Sequence, residues 1–278
     1  MSRPVSWPAI AAARAHDPAR RVPLLVGAHL AGSVAREHLA ALRDWPQALQ
    51  VDSRGVRLVA PEPTAALAQV NAALREQGLV RGWRDEPFAV FSLDDGSRLA
   101  RTERAAARFW GMLTLAAHAN GYVAGSDGKP TQLWIAQRSF TKATDPGLFD
   151  SLVGGGVPDG QTPWEALIRE GYEEAGQPEA GMRQATPGRV LRLQRDIPEG
   201  LQLEDLHVWD LALPPGLAPH NPDGEVHAFS CLPVAEALAL AAGEQMTVDA
   251  SLVTLDFALR HGLLPAVPAG AEALFDTA

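Results

Sequence analysis

The sequence predicts an α/β (α+β) fold in two domains of unequal size, and three observations support this prediction. The chain has 278 residues, more than the roughly 100–200 residues of an average domain. Strand-like and helix-like segments alternate along the chain, which is typical of mixed folds. In the second half, strands lie on both sides of one central helix at 162–175, and this order favours a sandwich of helices around a sheet. We therefore expect domains at 1–108 and 109–278.

The first predicted domain is a small α+β unit whose elements follow from apolar periodicity and capping residues. Alternating or continuous apolar runs indicate strands, and apolar residues at helical spacing indicate helices. Gly78 and the Asp94-Asp95-Gly96 turn each end one element. In chain order we expect a strand at 23–30, a helix at 33–45 capped by Ser33, a hairpin of strands at 49–51 and 56–59, a helix at 64–77, a strand at 88–93, and a helix at 103–110 opened by Thr102.

The second predicted domain is richer in long strands. A turn at 125–130 separates its first two strands, and Gly176 ends its central helix. A strand also runs into the glycine loop that precedes this helix. In chain order we expect strands at 113–123, 133–138 and 150–157, the helix at 162–175, strands at 189–195, 207–213 and 226–231, and helices at 234–242 and 248–260.

Charge and cysteine content narrow the range of partners. The chain carries 24 Lys and Arg against 33 Asp and Glu, a formal net charge of −9, which disfavours binding to a nucleic acid polymer. No apolar run approaches the roughly 18 residues of a membrane-spanning helix, so we expect no membrane partner. Cys231 is the only cysteine, which excludes an internal disulfide and suits a cytoplasmic location. An anionic substrate therefore requires cations that the fold places locally.

Three glutamates near the end of the central helix form the strongest candidate site. At about 100° per residue, Glu170, Glu173 and Glu174 fall within an arc of about 100° on one helix face. Like charges so close together cost stability, and Arg169, four residues before Glu173, offers that glutamate a partner. Glu170 and Glu174 are then left to face a hard cation, and their oxygen ligands favour Mg²⁺ or Mn²⁺. A solvated helix face is the alternative for the glutamates taken alone.

A glycine loop precedes these glutamates at a defined spacing. The matching positions are Gly155, Arg169, Glu170, Glu173, Glu174 and Gly176. This arrangement resembles the Nudix box, which reads G, five residues, E, seven residues, REUXEE, one residue and GU, with U a bulky apolar residue. Three positions depart from that pattern, namely Gln161, Gly171 and Gln177. The resemblance implies a Nudix α/β/α sandwich that hydrolyses a diphosphate bond with Mg²⁺ or Mn²⁺.

Segments outside the box carry a second resemblance. They are Gly82-Trp83-Arg84-Asp85-Glu86, Glu103-Arg104-Ala105-Ala106-Ala107, Ala119-Asn120-Gly121-Tyr122-Val123 and Gln137-Arg138-Ser139. Together they resemble a two-domain Nudix branch whose N-terminal domain also occurs in thiamine-pyrophosphokinase-related Nudix proteins. This branch implies hydrolysis of thiamine diphosphate, or of its oxo and oxy analogues, to the monophosphate. Three roles stay open for the N-terminal domain: recognising substrate, capping the pocket or forming a homodimer.

The resemblance also implies roles for individual residues. The expected metal ligands are Gly154, through its carbonyl, Glu170, Glu174, Glu225 and, as ligand or base, Glu173. The expected catalytic residues are Glu170, Glu173, Glu174 and Arg169. We expect Arg138 and Lys142 to bind the terminal phosphate of a small-molecule diphosphate. The number of metal ions and the identity of the base stay open.

Two alternative functions stay open as well. The first is hydrolysis of a nucleoside diphosphate linked to another group, such as a nucleotide sugar or a dinucleotide. The second is a non-catalytic binding module that keeps the Nudix fold. Loss of the metal carboxylates favours such a module, and this sequence keeps them. An enzyme is therefore the preferred hypothesis.

Overall fold

The computed structural model describes residues 6–142, 144–222 and 224–275, so the outer ends of both predicted domains lie outside the described residues. The first sheet has the strand order β2-β1-β4-β3, with β1 and β4 parallel and the other pairs antiparallel. Its strands are β1 (Arg21–Val26), β2 (His29–Ala35), β3 (Leu49–Val51) and β4 (Val56–Leu58). The hairpin expected at 49–59 is confirmed. A second hairpin, β1–β2, replaces the single strand expected at 23–30.

The prediction of a helix at 33–45 is wrong over its first residues, which belong to strand β2. Ser33 pairs with Pro23 in the β1–β2 ladder instead of capping a helix. Ala31 and Val34 are fully buried, so this segment contributes to the core as a strand. The helical part of the expected element is a 3₁₀ turn at Arg36–His38 followed by the four-residue helix α2 (Leu39–Leu42). The tendency of Ser33 to cap a helix is therefore outweighed by its pairing with the neighbouring strand.

One long helix and a hairpin complete the N-terminal portion. Helix α3 (Pro63–Glu76) buries Leu67, Val70 and Leu74 in the first core. The hairpin of β5 (Pro87–Phe91) and β6 (Arg98–Glu103) packs beside it, followed by α4 (Arg104–Phe109). Strand β6 was not expected from the sequence. It includes Thr102, so Glu103 is the residue that caps α4, by accepting a hydrogen bond from the amide of Ala105.

The second sheet has seven strands. The main order is β11-β12-β7-β8-β13, with β10 paired to β7 and β9 paired to β8. Strands β12 and β7 are parallel. The bounds are β7 (Leu113–Ala124), β8 (Pro130–Arg138), β9 (Phe149–Asp150), β10 (Val153–Gly156), β11 (Thr186–Ile197), β12 (Gly200–Ala212) and β13 (Val226–Pro233).

Helices cover both faces of this sheet, which confirms the expected α/β/α sandwich. They are α5 (Pro163–Ala175), α6 (Glu179–Met182), α7 (Val234–Ala241) and α8 (Val248–Arg260). Alternate residues of β7 enter different cores. Ala117 and Ala119 pack in the cluster under α5, whereas Ala116 and Tyr122 pack in the cluster under α7 and α8. The sheet therefore separates the predicted glutamate helix from the last two helices.

The beginning of the described chain packs against the second sheet's helices. The short helix α1 (Pro8–Ala12) contacts α8. Trp7 is buried and its Nε1 donates a hydrogen bond to Ser251 Oγ at 2.8 Å. The carbonyl of Ala13 also accepts a hydrogen bond from the amide of Gln194. The segment before β1 thus lies with residues far along the chain. None of the helices described is long and apolar enough to cross a membrane.

Candidate active site

Helix α5 has well-defined ends. At its start, Thr162 Oγ1 accepts from the amide of Glu165 at 3.2 Å, and Glu165 Oε2 accepts from the amide of Thr162 at 2.8 Å. This reciprocal pair is a capping box. At its end, Gly176 takes the left-handed conformation with φ +62°. The helix therefore begins and ends as the sequence predicts.

The glycines of β10 allow the helix to lie close to the sheet. A Cβ atom added to Gly155 would overlap the carboxyl group of Glu170. A Cβ added to Gly154 would lie 2.7 Å from His118 Cε1. Both separations are too short for real side chains, so Gly155 lets Glu170 lie directly against the strand and Gly154 leaves room for His118.

Glu174 is the most deeply buried of the three predicted glutamates, with 6% of the residue exposed. Its Oε2 accepts a hydrogen bond from the amide of Gly154 at 2.9 Å. Burial raises its pKa to about 8; the charge of Lys142 opposes this shift and the neighbouring Glu170 adds to it. Burial also raises the pKa of Glu170, against the charge of Arg169. Two carboxyl groups thus share a site that disfavours their negative charges.

Lys142 lies between two of the predicted metal ligands. Its Nζ is 3.4 Å from Glu174 Oε1 and forms an ion pair with Glu225. Burial alone would raise the pKa of Glu225, but the hydrogen bond and charge of Lys142 hold it below its ordinary value. The ammonium group therefore supplies positive charge between carboxylates from α5 and from the residue before β13.

Arg169 and Glu173 lie to one side of this cluster. The expected pair is confirmed, with Arg169 Nη1 donating to Glu173 Oε2 at 2.7 Å. Arg169 Nη2 also forms an ion pair with Glu170 Oε1 at 2.9 Å, so the expectation that Glu170 has no such partner is wrong. The side chain of Glu173 is 44% exposed. Gln161, in place of the first glutamate of the box, accepts from Arg169 Nε at 3.4 Å.

Arg138 is held by the protein on several sides. Its Nη1 donates to Asp150 Oδ2 at 2.8 Å, and its Nη2 donates to the carbonyl of Thr144 at 2.9 Å. Its Nε lies 3.2 Å from the carbonyl of Asp145. These bonds fasten the loop after β8 to strand β9.

One cavity brings together most of the predicted site residues. Those that line it are Gly154, Glu170, Glu174, Glu225, Arg138 and Lys142. Arg169 and Glu173 are not among its lining residues. Tryptophan side chains can stack on a substrate ring, but Trp83, Trp110, Trp134 and Trp209 are not among the described residues that line the cavity. The site therefore combines α5 with β8, β10 and the segment before β13.

The same cavity contains charged residues that sequence reasoning missed. They include Arg84, Arg104 and Arg108 from the N-terminal portion, Asp150 from β9, Glu204 from β12 and Asp249 from the first turn of α8. These residues come from five separate parts of the chain. Apart from Arg104 and Arg108, which are four residues apart on α4, no spacing rule connects them. Arg84 and Arg104 do lie in the segments that carry the second resemblance.

The cavity's chemistry fits an oxygen-preferring divalent cation. Glu170 and Glu174 provide carboxyl groups whose pKa values are raised by burial, beyond what the neighbouring Arg169 and Lys142 offset. A divalent cation supplies further positive charge, and Mg²⁺ is commonly held by one or two carboxylates together with water and substrate phosphate. Among the residues described, no group of three His, Cys, Asp or Glu side chains has metal-binding geometry.

Comparison with protein families divides the chain in two. The NUDIX domain family matches residues 115–250, and the family described as "Domain of unknown function (DUF4743)" matches residues 8–114. Among solved structures, the chain is similar to a Deinococcus radiodurans protein at 25% identity, with a TM-score of 0.46, covering 62% of this chain and 99% of that one. It is also similar to a C. elegans Ap4A hydrolase at 19% identity and a TM-score of 0.40, covering 54% of this chain and 99% of that one.

Two plant proteins are similar over most of the chain. Nudix hydrolase 24, chloroplastic, of Arabidopsis thaliana is 34% identical over 252 residues, which cover 87% of this chain and 68% of the relative. Nudix hydrolase 20, chloroplastic, of the same plant is 33% identical over 260 residues, with the same two coverages. Nudix hydrolases generally use divalent metals such as Mg²⁺ or Mn²⁺. The chain therefore belongs to the Nudix hydrolase family, as a pyrophosphohydrolase whose Nudix domain follows a DUF4743 domain.

Proposed function

We propose that this Nudix hydrolase cleaves thiamine diphosphate, or its oxo and oxy analogues, to the monophosphate. Glu170 and Glu174 would hold Mg²⁺ or Mn²⁺, with the carbonyl of Gly154 and the side chain of Glu225 as further ligands. When bound there, such a cation would supply positive charge to the diphosphate and the attacked phosphorus and would lower the pKa of water. The proposal also keeps the domain division at 1–108 and 109–278, and a cytoplasmic protein that acts on a small molecule.

The chain's own residues have separate tasks in this reaction. The Gly154 amide orients the Glu174 carboxylate through a hydrogen bond of 2.9 Å. Arg169 holds Glu170 and Glu173 in position through ion pairs with both. Glu173 is the candidate to accept the proton of the attacking water. Glu225 lines the cavity and has a pKa below its ordinary value, so its carboxylate is in the ionised form that a metal ligand requires.

The observation that carries the choice of substrate is a second acidic pair in the cavity, Glu204 and Asp249. Gln202 Nε2 donates to both, at 2.6 Å to Glu204 Oε2 and 3.2 Å to Asp249 Oδ2. Burial, and next the charge of Glu204, raise the pKa of Asp249. A cationic group bound beside the pair offsets the repulsion between the two carboxylates and favours their ionised forms. The thiazolium ring of thiamine diphosphate is such a cation, and it is attached to a diphosphate that needs the metal site.

A substrate screen tests this proposal directly. The chain is incubated with Mg²⁺ and thiamine diphosphate, oxythiamine diphosphate, nucleotide sugars, dinucleotides or nucleoside triphosphates, and products are weighed by mass spectrometry. We expect thiamine monophosphate and orthophosphate. Release of two monophosphates from a dinucleotide, with no turnover of either thiamine compound, would contradict the choice of substrate and favour the nucleoside diphosphate alternative.

A variant of Glu174 tests the chemistry. Removing one carboxylate from a metal site costs several kcal/mol of transition-state stabilisation, so we expect Glu174→Gln to lower kcat by about a hundredfold or more. Glu236→Gln, which removes an exposed carboxylate from α7, is the matched control and should keep full turnover. Unchanged Mg²⁺-dependent turnover in Glu174→Gln would show that the mechanism is wrong.

A further inference from the structure

Three arginines from the N-terminal portion form one side of the cavity that holds the Nudix glutamates. We call Arg84, Arg104 and Arg108 the arginine wall. Arg104 and Arg108 are four residues apart on α4, so they project from the same face of that helix. Arg84 lies in the segment before β5, and all three line the cavity together with Glu170 and Glu174.

The members of the arginine wall differ in how they are held. Arg104 Nη1 donates to Glu86 Oε2 at 2.9 Å, and its guanidinium lies 5.5 Å from the centre of the Phe88 ring. The charge of Glu170 also acts on Arg104. Within the described residues, the side chains of Arg84 and Arg108 have no hydrogen bond or ion pair. Their donors are therefore available to a ligand.

A second cavity adjoins the first along this wall. The two cavities share Arg84, Arg104, Arg108 and Thr144 as lining residues. Glu199 is the acidic residue that lines the second cavity, next to Arg81. All three residues of the arginine wall therefore line both cavities.

We infer that Arg84 and Arg108 bind the phosphate oxygens of the diphosphate substrate, so that the N-terminal portion supplies the cationic half of the active site. The inference rests on the proposed diphosphate substrate for this cavity. The arginine wall lines the same cavity as Glu170, Glu174 and Glu225, and ionised carboxylates repel a diphosphate. Guanidinium groups offset this repulsion, and their planar forks match two phosphate oxygens at once. The role of the N-terminal portion is then substrate recognition.

Binding of a non-hydrolysable diphosphate tests the inference without turnover. Imidodiphosphate is titrated in the presence of Mg²⁺ into the full chain and into Arg84→Gln and Arg108→Gln. Loss of a hydrogen bond between charged groups costs roughly 1.5–3 kcal/mol, so we expect the Kd to rise about tenfold or more in each variant. Arg54→Gln is the matched control, since that side chain is 90% exposed and pairs with Asp52. Its Kd should not change.

The outcomes separate this inference from the proposed function. A higher Kd in both wall variants, without turnover of any thiamine compound, would support phosphate binding by Arg84 and Arg108 and would contradict thiamine diphosphate as the substrate. An unchanged Kd in both variants, or no binding of imidodiphosphate by the unsubstituted chain, would overturn the inference even where thiamine diphosphate is cleaved. Where it is cleaved, KM should rise in the wall variants more than kcat falls. Circular dichroism and Tm should match those of Arg54→Gln, which excludes unfolding as the cause.

Discussion

Single residues in this cavity are placed for chemistry at a cost to the stability of the fold. Glu174 is the clearest case, because it is buried beside Glu170 and its pKa is raised to about 8. A buried carboxylate with too little positive charge around it favours the protonated form. Gly154 and Lys142 offset only part of this effect. This electrostatic destabilisation is expected in a site that binds a cation, and a bound cation removes it.

The titration of Glu174 predicts how stability depends on pH in the metal-free protein. Its pKa rises from an ordinary 4.5 to about 8 on folding. The stabilising effect of its bound proton is therefore complete below pH 4.5 and is lost as the pH rises towards 8. We expect Glu174→Gln, which carries no ionisable group, to have a higher Tm than the unsubstituted chain at pH 8 and little difference at pH 4.5. Thermal unfolding in a chelating buffer measures this.

The control for that experiment is Glu236→Gln, whose exposed carboxylate lies on α7. Its Tm should follow that of the unsubstituted chain at every pH. A Glu174→Gln variant that loses stability equally at both pH values would contradict the predicted protonation of Glu174 in the fold.

At the scale of elements, the close approach of α6 explains why α5 departs from the Nudix pattern at Gly171. Gly171 stands where the box has a bulky apolar residue. A Cβ at this position would lie 2.5 Å from Met182 Sδ, and Met182 of α6 is fully buried. Glycine inside a helix ordinarily costs roughly 1 kcal/mol relative to alanine. Here its absent side chain gives α6 room to pack against α5.

Two alanine substitutions in neighbouring helices test this packing. We expect Gly171→Ala to lower the free energy of unfolding by about 1–3 kcal/mol, because the buried methionine must move. Gly181 is the matched control, since a Cβ there would meet its nearest atom at 3.7 Å. Gly181→Ala should be neutral or stabilise the protein by up to about 1 kcal/mol. Chemical denaturation measures both values, and equal effects would contradict the packing argument.

At the scale of the whole molecule, distant parts of the chain meet around three hydrophobic cores. Arg98 of β6 donates two hydrogen bonds to Asp159, from Nε to Oδ1 at 2.8 Å and from Nη2 to Oδ2 at 2.6 Å. These bonds join the β5–β6 hairpin to the loop that precedes α5. The segment that contains Trp7 is held against α8 by the hydrogen bond from Trp7 to Ser251. The α4 helix places Arg104 and Arg108 beside the glutamates. The active site is therefore assembled from both halves of the chain.

The position of Trp7 gives a stability prediction. Trp7→Ala removes a large buried side chain from the core under α7 and α8, so we expect the free energy of unfolding to fall by about 3–5 kcal/mol. Trp7→Phe keeps most of the apolar contact and loses the hydrogen bond to Ser251, and it should cost only about 1 kcal/mol. Equal losses in the two variants, or none, in denaturant unfolding would contradict this packing.

Much of the second sheet and its helices was predictable from sequence, because each element has a strong local signal. Helix α5 begins at the capping residue Thr162 and ends at Gly176, as expected. The first sheet was harder. Ser33 has the chemistry of a helix cap, yet pairing with Pro23 keeps it in a strand. Strand β6 is short and polar, and it depends on β5 beside it.

The sequence by itself determined the glutamate helix, the glycine loop and their spacing, because short-range geometry follows from helix periodicity and the capping residues. Only the tertiary structure decided which side chains share the cavity. It brought Glu170 and Glu174 together with Arg84, Arg108 and Asp249, and it left Glu173 at the side. These neighbours are distant along the chain, so their proximity depends on how β7, β12 and α4 pack. Packing of that kind leaves no regular spacing in the sequence.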